Sequence, residues 1–501
     1  MKNKLIYIVA LAFTFSVGCK KELNQTPIST ATTETFFASN NDFLQAVNAV
    51  YADLRTYPDR MLNLSETRSD NLYAVADGPR DWEPINNFAR TISGNPYIQE
   101  AWNTNFNGIY RANTVLNKLE TNGNVITDAN LKTRLTAEAR FLRAFFYFDL
   151  VRWFGKVPIA DKVYNSAEAT TIPRSGVAAV YNFILADLKF AADNLPDTYT
   201  AAADKGRATK WAAKGIMALV YMTRSGPTYN IDGPGLATND WQVALDLLNE
   251  VINSKRFNFL TSYADIFSYS NENNAEVVFN VEYSTLSNPV VGSTFAWLLV
   301  PDTYFTSIGK AVQGGLLIRP VSTDLVNTYA TNDIRKPFNI YTAGYTAPGI
   351  GTESRPFFKK YLDISKVPNN RVDWPINYIV MRYTDVLMLK AECILRGASG
   401  SQADVDLIMN QVRSRAGLTT PVTGTTIPQL MEERRREFAA EGLRWHDLVR
   451  SGLVTTVIPA WDAKEDVSNS IAPFNNNYII YPVPQAELNV TPGLYTQNPG
   501  Y

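Results

Sequence analysis

The chain has 501 residues, 46% hydrophobic and 19% charged, the composition of a globular protein large enough for a substantial core. Its 47 basic and 48 acidic residues leave a formal net charge of -1, which excludes the strongly basic face that nucleic-acid binding needs. One histidine, His446, argues against histidine metal sites and a serine–histidine–aspartate mechanism, and two cysteines, Cys19 and Cys393, cannot make a disulfide framework.

Residues 1–18 read as a secretory signal. Lys2 and Lys4 supply the positive end, and the apolar run 5–17 is too short to span a bilayer. Ser16, Val17 and Gly18 lead into Cys19, an arrangement that resembles a bacterial lipoprotein signal in which Cys19 is lipidated and becomes the new N-terminus. Acyl chains contribute about 0.8 kcal/mol per buried CH₂, so several on one residue anchor a protein stably. Residues 19–40, with Pro27, read as the tether.

Residues 42–57 predict a helix with Phe43, Val47, Val50 and Leu54 inward and Asp42 as its N-cap. The stretch 61–97 lacks periodicity and holds Asp77-Gly78-Pro79, Glu83-Pro84 and Ser93-Gly94-Asn95-Pro96, so it reads as one long irregular segment. Such loops tend to carry function. A helix follows at 102–119, ended by Asn122-Gly123. Residues 135–159 then form a helix apolar nearly all round, stopped by Gly155 and Pro158, which marks a central packing element. Its charges can pair along the helix, Arg134 with Glu138 and Asp149 with Arg152.

Helices recur at 175–195, 208–224 and 241–252. Ala212, Ala213, Gly215 and Ala218 let a neighbour approach the second closely. Antiparallel helix pairs with small residues at their contacts resemble tetratricopeptide repeats, and because the spacing between pairs is not a fixed period of about 34 residues they read as degenerate repeats interrupted by insertions. Residues 258–377 read as an irregular insertion with a strand near 276–283, and the oxygen-rich NENNAE at 271–276 is of a kind that suits calcium. Predicted helices at 378–395, 402–416, 428–440 and 443–449 precede a mostly extended tail at 478–501. Cys393 reads as an inert core thiol, and Arg434-Arg435-Arg436, flanked by glutamates, as a solvated, neutralised face.

Four blocks, in order, resemble the RagB/SusD family of outer-membrane nutrient-binding lipoproteins. They are AEARFLRAFFYFDLVRWFGKVP within 135–159, RYTDVLMLKAE with NQVRSRAGL at 382–418, EERRREFAAEGLRWHDLVRSG at 432–452, and the tail at 478–501. His446 stands where an aromatic residue is more usual. The resemblance implies a mainly α fold, with tetratricopeptide-like helix pairs as scaffold and a loop-rich ligand-binding portion with short strands. It implies an N-terminal helical region at 41–257 and a C-terminal region at 258–501, with the insertion at 258–377 and helices at 378–450. It also implies a lipoprotein on the outer face of a Gram-negative outer membrane. Such a protein binds a nutrient, commonly an oligosaccharide, and delivers it to a SusC-like TonB-dependent transporter without chemistry, cofactor or metal.

Aromatic residues are 12% of the chain, and sugar C–H faces pack on such rings while polar groups bond the hydroxyls. The first candidate patch is the long loop: Tyr73, Arg80, Asp81, Trp82, Glu83, Asn86, Asn87 and Arg90. The second, in the insertion, is Trp297, Tyr304 and Trp374. Trp153, Trp211 and Trp445 fall in helices and read as core. Two other readings compete: the same scaffold holding a peptide or another nutrient, and a helical glycan hydrolase using facing carboxyls such as Asp81 and Glu83.

Overall fold

The computed structural model describes residues 36–74, 80–310, 315–349 and 351–501. The signal segment, Cys19 and the tether up to residue 35 lie outside them. The described chain is mostly helical with short strands, as expected.

Helix α1 (Asn40–Ala52) buries Phe43, Val47 and Val50. Its N-cap is Ser39 and not Asp42, which sits three residues inside and accepts from the Ser39 amide at 2.8 Å to complete a capping box. The chain then stays helical, through a π-helical stretch at Met61–Glu66, where the irregular segment was expected to begin. Polarity makes this region read as loop. In the structure Asn63, Ser65, Glu66, Thr67, Arg68, Ser69, Asp70 and Asn71 are all buried, and distant parts of the chain supply partners to Asn63, Glu66, Arg68, Asp70 and Asn71.

Helix α2 (Pro96–Thr121) starts from an Asn95 cap with proline in the first turn, earlier than its apolar pattern suggests. It packs on α3 (Ala129–Phe154), which packs in turn on α4 (Val177–Asn194). The second half of α3 is buried on every side. Gly155 ends it with φ +67°, and a Cβ there would meet the Asp232 carbonyl oxygen at 1.8 Å, so no other residue fits. Both expected pairs form, Arg134–Glu138 at 3.3 Å and Arg152–Asp149 at 3.4 Å. Each acid also gains a cation from elsewhere: Glu138 takes Arg207 at 2.7 Å and Asp149 takes Arg60 at 3.0 Å.

Helices α5 (Lys210–Ser225) and α6 (Trp241–Asn253) continue the stack. Helix α6 packs on α7 (Tyr383–Leu395), and α7 on α8 (Gln402–Arg415), so the pairing runs on across the long segment between α6 and α7. That segment holds strand β1 (Val277–Val281), which pairs antiparallel with β2 (Tyr378–Arg382). Residues 378–382 were expected to be helical. The run Tyr-Ile-Val-Met-Arg suits either state, and the ladder with β1 decides for strand, with extended Arg382 at the junction. Gly215 of α5 admits this strand: a Cβ there would touch Met381 Sδ at 2.5 Å.

Helices α9 (Ile427–Glu437), α10 (Arg444–Ser451) and α11 (Val454–Glu465) close the fold. Helix α9 ends sooner than expected, in a turn where Ala440 and Gly442 take positive φ, and Pro459 conceals α11 from a sequence reading. The arginine run is neutralised but not solvated, since Arg434 and Arg435 are buried. Arg434 bridges Asp385 at 2.7 Å and Asp447 at 2.8 Å. Glu437 takes Arg382 at 2.8 Å, Arg335 at 3.0 Å and Arg415 at 2.6 Å. Asp70 receives Arg444 at 2.7 Å and Arg435 at 3.2 Å. Cys393 is a buried free thiol, with its pKa pushed up by burial. Burial, then Arg152 and Arg450, push the pKa of His446 far down, and its ring lies 4.4 Å from that of Trp153. Trp153 and Trp445 are core as expected, whereas Trp211 is only half-buried, with Lys210 4.5 Å over its ring.

Asp70 is the most informative of these ions. Burial alone would raise its pKa, but Arg435 and Arg444 outweigh burial and hold it at about 2. A carboxyl depressed on folding stabilises above its unfolded pKa and loses that contribution as pH falls through the folded value, here about 2 kcal/mol lost between about pH 4 and pH 2. Asp70→Asn should therefore lower stability near neutrality by about 3–5 kcal/mol, as expected when one partner of a buried ion cluster is removed. It should also flatten the acid limb. Urea unfolding at stepped pH reads both, and an unchanged acid slope would refute the assignment.

Candidate ligand-binding site

One residue from each candidate patch, Trp82 and Trp297, joins the same cluster, although the patches are far apart in sequence. Residues beyond Asp70 run alongside the insertion: Leu72 bridges Val321, the Tyr73 amide donates to the Pro320 carbonyl at 2.9 Å, and Ser322 donates to the carbonyls of Asn71 at 2.9 Å and Asp70 at 2.6 Å. This pairing brings Leu316 and Leu317 against Trp82, together with Ala74, Tyr97 and Trp297. Trp82 is buried (7% exposed), whereas Tyr97 and Trp297 are half-buried.

Each tryptophan carries a guanidinium on its ring. Arg319 lies 4.3 Å from the Trp82 centroid and donates to Asn63 Oδ1 at 2.7 Å. Arg371 lies 4.8 Å from the Trp297 centroid. Such contacts contribute roughly 0.5–2 kcal/mol each and fix ring orientation. Asp302 sets Trp297 in place: one carboxylate oxygen accepts from Trp297 Nε1 at 2.7 Å and the other from the Leu316 amide at 2.9 Å. Beneath lies Asp59, pushed up to about 7 by burial, with the Thr294 hydroxyl bonded to it acting in the opposite direction.

The remaining candidates divide. Asn86 is wholly buried and is a clamp, not a ligand contact. Its oxygen accepts from the Ala74 amide at 2.8 Å, and its nitrogen donates to the carbonyls of Thr67 at 2.7 Å and Leu72 at 2.9 Å, closing the loop on itself. Trp374 is also wholly buried, paired through its backbone with Ser293, so it packs the interior. Tyr304 is buried among Tyr341, Tyr345 and Phe357. Tyr73 is half-buried and donates to Asp466 at 2.8 Å. Arg90 donates to the Tyr478 hydroxyl at 2.9 Å, and the Asn87 carbonyl accepts from Ala472. Asp81 is exposed, with its carbonyl held by Asn95 at 2.8 Å, while Arg80 and Glu83 are half-buried. The oxygens of 271–276 serve the protein itself: Glu276 takes Arg415 and Thr384, and Glu272 takes the Asn377 amide. Tyr97, Asp302, Leu316, Arg319 and Arg371 were not foreseen. No local periodicity distinguishes them, and only the pairing with 320–322 gathers them.

Two family profiles cover most of the chain. One, described as the SusD family, matches residues 263–501. The other, described as "Starch-binding associating with outer membrane", matches residues 24–222. The chain belongs to the SusD family. A SusD-like protein of Bacteroides ovatus is 28% identical over 477 residues, covering 90% of this chain and 82% of its own. The crystal structure of a SusD homologue from Bacteroides thetaiotaomicron superposes with a TM-score of 0.79 at 21% identity, over 96% of this chain and all of that one. Surface glycan-binding protein A of the same organism, in complex with laminarihexaose, superposes at 0.76 with 22% identity, over 92% of this chain and all of that one. These likenesses account for the SusD fold, with its helix stack and its loop-rich side.

The clamp role of Asn86 has a direct consequence. Asn86→Ala leaves one buried amide and two buried carbonyls unpaired and should cost about 2–3 kcal/mol. Hydrogen exchange should quicken at 67–74 before it does elsewhere; uniform quickening would mean that Asn86 does not hold this loop.

Proposed function

We propose that this SusD-family protein is a non-catalytic lipoprotein of the outer-membrane surface. It captures an oligosaccharide at the Trp82–Trp297–Tyr97 cluster and hands it to a SusC-like TonB-dependent transporter. The observation that carries the reading is the convergence itself: two tryptophans from separate segments, each backed by an arginine, beside a half-buried tyrosine. A sugar offers C–H faces to such rings and hydroxyls to the neighbouring guanidinium and amide groups. The family profile's wording and the laminarihexaose held by a structural neighbour favour a glucan over a peptide. Lipidation at Cys19 supplies the anchor, and no helix among the described residues is long and apolar enough to cross a membrane.

Trp297→Ala should weaken binding of laminarihexaose, or of the best ligand in a starch and β-glucan panel, by about 2 kcal/mol in isothermal titration, as removal of an aromatic anchor does. Trp374→Phe, inside the packing, should leave affinity unchanged. Equal affinity in wild type and Trp297→Ala would move the site elsewhere.

Cys19→Ala should leave the fold intact and shift the protein from the membrane fraction to the soluble one. Retention in membranes after a salt wash would show that the lipid is not the anchor.

A further inference from the structure

A second cavity, of about 410 Å³, shares no lining residue with the Trp82–Trp297 cluster. Its walls come from 48–55 at the end of α1, from the turn 203–207, and from 280–284 where β1 ends. The volume falls within the range of roughly 300–1,000 Å³ typical of small-ligand sites.

The lining is not that of a gap left by packing. Tyr51 and Tyr283 both use their hydroxyls within the protein. Tyr51 accepts from the Ala208 amide at 3.0 Å, and Tyr283 donates to the Arg55 carbonyl at 2.5 Å. What they leave to the cavity is ring surface. Glu282 is a carboxylate held without a cation among the described residues. Its two oxygens accept from the amides of Asn280 at 2.8 Å and Asn377 at 3.0 Å. Gly206, at φ +81°, makes room for it: a Cβ there would lie 2.2 Å from Glu282 Cγ. Among the described residues Arg55 and Lys205 form no ion pair, and Arg55 donates through Nε to the Ala52 carbonyl at 3.2 Å. Asn280 is buried, and its nitrogen serves Asn273 and Glu282 while its oxygen accepts from no described residue.

Held acceptors, charged donors and ring surface thus share one cavity. An anion would meet Glu282, and a cation would meet Arg55 and Lys205. A neutral polyol with C–H faces satisfies all of them, because each hydroxyl both donates and accepts. We propose that this cavity is a second saccharide site, taking a neutral mono- or disaccharide unit. The proposal stands whether or not the Trp82–Trp297 reading holds.

The test uses the full chain in detergent, in a Trp297→Ala background that weakens the first site. The probes are maltose, cellobiose and laminaribiose, with glucuronate as an acidic arm. Hydrogen exchange by mass spectrometry should show a neutral disaccharide slowing exchange at 48–55, 203–207 and 280–284. The half-saturating concentration should rise about tenfold in Glu282→Gln, the loss of one charge-assisted bond to ligand. Lys205→Ala should raise it as well, and because that side chain is exposed, this variant keeps the result readable if Glu282→Gln loosens its amide contacts. Three outcomes would overturn the proposal: no neutral sugar slows exchange at those segments, only glucuronate does, or both variants bind as the background does.

Discussion

The pairing of Asp70 with Arg435 and Arg444 governs how the two halves of the chain meet. A charge in the interior costs several kcal/mol unless it is paired and hydrogen-bonded, so this carboxylate is tolerated only where α9 and α10 deliver their guanidinium groups. Hydrophobic contact has no direction and would allow the segments to slide, whereas a two-point arginine–carboxylate bond fixes register. Neighbouring residues repeat the device. Glu66 accepts from the amides of Ala440 at 2.9 Å and Gly442 at 3.1 Å. Arg68 lies between the rings of Phe88 at 4.6 Å and Tyr481 at 4.7 Å, and donates to the Tyr478 carbonyl at 2.9 Å, which ties in the tail.

This lock sits one turn before the segment that builds the candidate site. With Asp70 held, residues 71–73 run beside 320–322, and that contact places Leu316 and Arg319 against Trp82. The site therefore inherits its geometry from a buried polar frame, with Tyr97 at the start of α2, Trp82 capping the short helix Glu83–Asn86 and Trp297 in the short helix Phe295–Leu298. This reconciles two demands on a binding surface, variable loops for recognition and a rigid base to hold them.

The helices were legible where burial is apolar and periodic. Helix α3 could be read from Leu135 on because its ring-rich run admits no solvent face and Gly155 ends it at positive φ, whereas its polar start at Ala129 could not. Residues 60–71 could not, because polar residues buried through distant partners look like loop residues. The same limit misplaced the arginine run at the surface. Strand β2 failed for another reason: a five-residue apolar run carries too little period to separate strand from buried helix. At the site, Trp82 and Trp297 could be named singly from residue type. Nothing local signalled that they meet, or that Arg319, Arg371 and Asp302 would hold them. Asn86 and Trp374 lie wholly buried, which residue type does not encode.

The way the rings are held bears on what they can do. Arg319 covers Trp82, and Arg371 covers Trp297. Asp302 also fixes the Trp297 indole nitrogen. A ring backed by a guanidinium and tied at its nitrogen has lost its rotational freedom before any ligand arrives, so less ordering cost falls on binding. Tyr304, by contrast, is surrounded by Tyr341, Tyr345 and Phe357, and Trp374 is wholly buried. Rings embedded in that way stabilise the insertion and have no surface left to offer. Among the candidate tryptophans, Trp297 alone combines fixed orientation with partial exposure. On the proposed reading, that ring is the one a flat sugar face meets.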